Sequence, residues 1–115
     1  MQARAISFAY RTAMAVQGKQ VAYRRGDQVT EPMRALAGRT QDILDTEFGA
    51  LTKDTKDWIF TTADLVWGDH TAITPAAGDV IQYGADRYEV FDPSGQGCHY
   101  YPDPDRRYIR IHTQI

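Results

Sequence analysis

At 115 residues, with 43% hydrophobic and 24% charged side chains, the chain reads as one globular domain able to bury a core without disulfides or metal. No window approaches the ~20 apolar residues of a membrane-spanning helix, and the single cysteine, Cys98, excludes an intrachain disulfide and fits a reducing compartment. The net charge of −2 hides a segregation: residues 1–40 carry seven basic and two acidic side chains, 41–105 carry three and thirteen, and 106–115 add three arginines. Such a distribution suits head-to-tail contact with copies of itself or with neighbours, the plain alternative being solvated surface charge.

The N-terminus has no apolar run followed by a cleavage site, so no secretory signal is expected. Residues 2–17 lack Gly and Pro and favour a helix, with Ile6, Tyr10 and Ala13/Met14 on one apolar stripe and Gly18 as its stop. Such a helix packs on the following domain or docks on a partner, and the first is favoured. Gln20 to Arg25 alternates Val21 and Tyr23 against polar neighbours and reads as a strand ending at Gly26-Asp27. Met33 to Ala37 is expected to return antiparallel to it and stop at Gly38, with Pro32 marking an edge or a strand start.

Residues 39–57 are expected as a long acidic loop, either opening with one or two helical turns over Thr40–Phe48 or holding a strand over Phe48–Thr52. A stretch of that length between core strands is usually functional. Asp57 to Thr62 is a strand with Trp58 and Phe60 on one face, and residues 63–78 leave the sheet.

Two Val/Ile/Tyr-rich runs, 79–83 and 87–91, flank a Gly84-Ala85-Asp86 tip and read as a β-hairpin, with Ile81 and Tyr83 sharing a face and Tyr88 and Val90 sharing a face. Residues 92–97 form a loop and Cys98 to Tyr101 a short strand. Arg107 to Thr113 closes the chain with Ile109 and Ile111 opposite Tyr108, Arg110 and His112. The expected fold is mainly β: one domain over 1–115, a small antiparallel β-barrel or sandwich of six to seven strands over 20–113, behind one α-helix.

Catalytic and cofactor signals are weak. His70, His99 and His112 with Cys98 lack zinc spacing, and adjacent Cys98-His99 point to opposite faces of a strand, which argues against a nucleophile pair. The glycines form no phosphate loop. Neither an enzyme nor a cofactor or metal site is expected. A basic aromatic face of Tyr23, Arg24, Arg25, Arg106, Arg107, Tyr108 and Arg110 fits nucleic acid, but the acidic middle and a pI of 5.8 oppose it.

From Tyr23-Arg24-Arg25-Gly26 and Gly38-Arg39-Thr40, through Asp57-Trp58-Ile59-Phe60, Ala63-Asp64-Leu65, Pro75, Gly78-Asp79-Val80-Ile81, Tyr88-Glu89-Val90 and Gly95, to Asp103 through Thr113, the chain resembles the phage head–tail joining (head completion, stopper or neck connector) proteins of phages and prophages. The resemblance spans residues 20–115 and departs from the family pattern in 41–56. It implies a non-enzymatic virion component, cytoplasmic during assembly and then at the neck. There it forms a ring under the portal, a hexamer or dodecamer, closes the DNA-filled head and offers the tail its attachment surface. Implied partners are copies of itself, a portal or adaptor on one face, a tail terminator or tail protein on the other, and passing genomic DNA, with no membrane. Partner-binding residues are expected at Asp42, Asp45, Glu47, Phe48, Lys53, Asp54, Lys56, Arg106 and Arg107. The alternatives are a tail terminator or other ring-forming tail component, and a small-barrel nucleic-acid-binding protein.

Overall fold

A computed structural model describes residues 3–46, 49–93 and 95–114, with side chains over 10–38, 56–93 and 95–114. Helix α1 (Ala3–Gln17) precedes eight strands: β1 (Lys19–Arg25), β2 (Gln28–Val29), β3 (Met33–Thr46), β4 (Gly49–Thr61), β5 (Val80–Tyr83), β6 (Asp86–Val90), β7 (His99–Tyr100) and β8 (Tyr108–Gln114). Six of them pair antiparallel in the order β1-β3-β4-β8-β6-β5, and β5 returns to β1 through Ala22–Gln82, Tyr23–Ile81 and Arg24–Val80. Closure leaves the barrel without a free sheet edge around its girth. β2 extends the rim beside β1, and β7 adds to β8.

Period-two alternation decides what fills the barrel. Val21 and Tyr23 of β1, Ala35 of β3, Trp58 and Phe60 of β4, Ile81, Tyr88 and Val90 of the hairpin, and Ile109 and Ile111 of β8 form one buried cluster. Trp58 is central, its ring 5.4 Å from Tyr88 in an edge-on contact. Leu65 and Ile73, from the connection between β4 and β5, join the cluster through a hairpin-like turn closed by Ile73 N–H to Leu65 O at 3.0 Å. The hairpin tip is tighter than expected. Asp86 is not part of it, because Asp86 pairs with Tyr83 and leaves a two-residue turn. Gly84, at φ 60°, supplies the positive angle such a turn requires.

The helix docks on the barrel. Tyr10 stacks on Tyr108 at 5.0 Å, Met14 is buried, and Arg34 of β3 donates to the carbonyls of Met14 and Ala15. Gly18 follows the helix at a point with no room for a side chain, since a Cβ there would run into the Met14 carbonyl oxygen and Arg34 Cγ.

Three expectations need correction. β3 does not stop at Gly38 but runs to Thr46, and no helical turn begins at Thr40. Segment 39–57, expected as a long loop with helical turns or a strand over Phe48–Thr52 within it, continues β3 and β4 as a two-stranded arm, in register from Arg39–Lys56 to Thr46–Gly49, and the strand alternative holds over Gly49–Thr52. Backbone pairing between two extended strands satisfies the N–H and C=O groups on their facing edges, which an irregular loop would leave to water. The radius of gyration, 14.7 Å, exceeds the roughly 13 Å of a compact chain this long, as a projecting arm requires.

Candidate functional site

Three carboxylates are buried among the described residues, Asp57, Asp79 and Asp103, and all belong to the framework. Asp57 lies one residue from Trp58, so alternation turns it to the outer barrel face, where it is fully buried. The register of β4 against β8 sets His112 opposite Asp57 and Arg110 opposite Ile59. Arg110 Nε donates to Asp57 Oδ2 at 2.6 Å, and His112 Nδ1 lies 3.0 Å from Oδ1. Burial alone would lower the Arg110 pKa, but its bond to Asp57 and the nearby Tyr100 hold it above its ordinary value. Gly38, opposite Asp57 on β3, leaves room for this guanidinium, since a Cβ there would meet Arg110 Nη2 at 3.2 Å.

Asp79, just ahead of β5, is the second. Tyr23 Oη donates to it at 2.5 Å, Arg25 grips both of its oxygens at 3.0 and 2.8 Å, and the Ala76 N–H donates at 3.1 Å. Burial pushes its pKa up, but the Arg25, Tyr23 and Ala76 bonds outweigh that and leave it below its ordinary value. The same contact drives the Tyr23 hydroxyl far above its normal range, chiefly by burial and then by the Asp79 bond. Asp79 therefore staples β1 to the turn before β5, beside the seam where the barrel closes.

Among the described residues no group of three His, Cys, Asp or Glu side chains is placed to hold a metal ion. His70 is exposed in a turn at φ 68°, while His99 and His112 sit on neighbouring strands. Cys98 packs half-buried against the core, and burial with the nearby Asp92 and Asp79 holds its thiol pKa above the ordinary value.

The expected partner-binding residues fall at two ends of β4. Asp42, Asp45, Lys53 and Asp54 lie on the arm, Asp42 opposite Lys53 and Asp54 opposite Gln41, with exposed Lys56 at its base. Glu47 and Phe48 lie outside the described residues. Arg106 and Arg107 stand at the far end, in the turn entering β8, both exposed. Asp103 shapes that turn by accepting the N–H groups of Arg107 and Tyr108 at 3.0 and 3.1 Å. Sequence reasoning missed Asp57 and Asp79. The available signal for Asp57 was its place in a strand between an apolar β4 face and the polar Arg110/His112 face of β8.

A closed antiparallel barrel with a docked helix and a projecting two-stranded arm, its buried charges spent on internal staples, defines a small body that presents surfaces. All 115 residues, 1–115, match the family of the phage head–tail joining protein, and the chain belongs to that family. The family is one of structural proteins of the phage neck, where head and tail meet, which implies contacts with portal and tail proteins. No curated protein matches the chain closely.

Proposed function

We propose that the protein is a head–tail connector: it assembles as a ring beneath the portal, closes the DNA-filled head, and offers the tail its attachment surface. The observation that carries this is the family match across the whole chain. Two physical features support it. The β3–β4 arm reaches beyond the barrel body, giving each subunit a feature able to enter a neighbour or a channel. Basic and acidic segments are separated along the chain, as a heterologous contact between unlike patches requires. An arm carrying Asp42, Asp45 and Asp54 toward the channel would repel DNA phosphates and let the genome pass without adhesion.

The test is complementation in extracts. Purified protein added to DNA-filled heads that lack it should make them competent to accept tails, and adding it to tails alone should do nothing. Activity confined to the tail extract would reassign the protein as a tail terminator.

A further inference from the structure

We infer that the groove between helix α1 and the turn entering β8 is a carboxylate dock, and that its occupant is the acidic β3–β4 arm of a second copy. The inference rests on the ring-forming reading above and names the contact that would build it. The groove holds about 570 Å³ and is lined by Arg11, Arg106, Arg107, Thr61, Thr62 and Tyr108, with no carboxylate among its lining residues. Three guanidinium groups thus line one depression in a chain of net charge −2.

Two of the three arginines are held in place. Arg106 sits at φ 54°, its N–H bonded to the Asp103 carbonyl at 3.2 Å and its guanidinium 4.9 Å over the Tyr101 ring. The Arg107 backbone is pinned on both sides, its N–H by Asp103 and its carbonyl by the Thr62 N–H at 2.8 Å. Fixed main chain places both side chains at the rim, which lowers the ordering cost of gripping an anion. Arginine forks match carboxylates in geometry as well as charge.

The chain carries the complementary feature at the opposite end of β4. Gly49 at the arm and Thr61 at the groove are twelve steps apart on one strand, about 40 Å at ~3.3 Å per residue. The arm therefore cannot reach its own groove, and the acid that fills it comes from another molecule. Acid at one end and base at the other is the layout of a heterologous contact, which repeats from copy to copy. Duplex DNA is the less favoured occupant. Exposed Asp64 and Asp105 adjoin the lining residues Ala63 and Arg106 in sequence, and they oppose a continuous phosphate backbone more than a single inserted carboxylate.

The experiment uses purified full-length chains in a Cys98→Ser background. One batch carries Arg107→Cys, the other Asp45→Cys; the two are mixed at high concentration and treated with a short bismaleimide. The mixed cross-link should exceed either self cross-link several-fold, and adding Arg106→Glu to the first batch should abolish it. Replacing Asp42 and Asp54 by Lys in the second batch should restore it. Equal cross-linking in all pairings, or no effect of the charge changes, overturns the dock. Salt-dependent oligonucleotide binding that Arg106→Glu removes, with cross-linking unchanged, would assign the groove to phosphate and also overturn it. Because no particle is involved, failure to complete heads in extracts would sink the connector reading while leaving this contact to stand or fall alone.

Discussion

β3 and β4 are each two structures in one strand. From Met33 to Gly38 and from Asp57 to Thr61 they are barrel wall, flanked by β1 on one side and β8 on the other, with Ala35, Trp58 and Phe60 fully buried. From Arg39 to Thr46 and from Gly49 to Lys56 they pair chiefly with each other, and of the described strands only β8, at Lys56, touches their outer edges. The hydrogen-bond ladder is continuous through both halves. The neighbours are what differ: the wall, bordered by further strands, is specified by a hydrophobic face with a period of two, and the arm by the β3–β4 cross-strand register. A two-stranded ribbon is marginal by itself, so the arm persists because the wall holds both of its strands in register at the base. Stability should reside in one half and recognition in the other.

Substitutions in the wall test the first half of that statement most severely. Trp58→Ala removes the largest fully buried side chain and should cost ~3–5 kcal/mol of unfolding free energy, read from denaturant melts. A loss under ~1 kcal/mol would mean that the barrel does not depend on the Trp58 cluster. Asp57→Ala comes next. It strips the carboxylate from Arg110, whose side chain is only 17% exposed, and should cost ~3 kcal/mol. Replacing Asp57 and Arg110 together by apolar residues should recover a good part of that, because the penalty lies in stranding one charge.

Asp79 sharpens the comparison through pH. Its folded pKa is depressed: burial pushes upward, but the Arg25, Tyr23 and Ala76 bonds prevail. Its contribution is therefore fully present above the unfolded value of about 3.9 and is lost as pH falls through the lower folded value. Asp79→Asn should cost about 1–2 kcal/mol at neutral pH, a figure reduced because Arg25 is 40% exposed. The gap between wild type and variant should close in acid. A gap that stays constant down to pH 2 would show that the carboxylate's charge contributes nothing.

The wall was legible and the arm was not, for the same physical reason. Val21/Tyr23, Trp58/Phe60 and Ile109/Ile111 alternate strictly, so the inward faces could be read directly, and the hairpin around Gly84 announced itself through its turn residue. Over 39–56 acids, lysines and apolar residues follow no such alternation, and a strand without a period-two apolar face leaves little signature in the sequence. Gly38 looked like a terminator because glycine often is one, whereas here its missing Cβ makes space for Arg110. The Asp57–Arg110–His112 staple escaped because it forms only when distant strands are set in register. Arg106 and Arg107 were singled out from charge alone; the turn that fixes them depends on Asp103, whose role composition does not reveal.

The smallest expected change in stability belongs to the arm itself, and it is the most informative about function. Removing 42–53 and joining Gln41 to Asp54 through Asn-Gly keeps the Gln41–Asp54 pair and everything below it in register, with a turn whose twist suits a two-residue hairpin. The wall residues of the buried cluster, Ala35, Trp58 and Phe60 among them, are untouched, so the thermal midpoint should hold, within about 0.5 kcal/mol in free energy. Head completion should nevertheless fall by at least an order of magnitude. Deleting one residue from β3 alone is the control, because it slips the register and sends a shift toward the wall; it should destabilise more than removal of the whole arm. If the shortened protein instead completes heads normally, recognition belongs to the barrel surface, and the division of labour between the two halves of β3 and β4 is wrong.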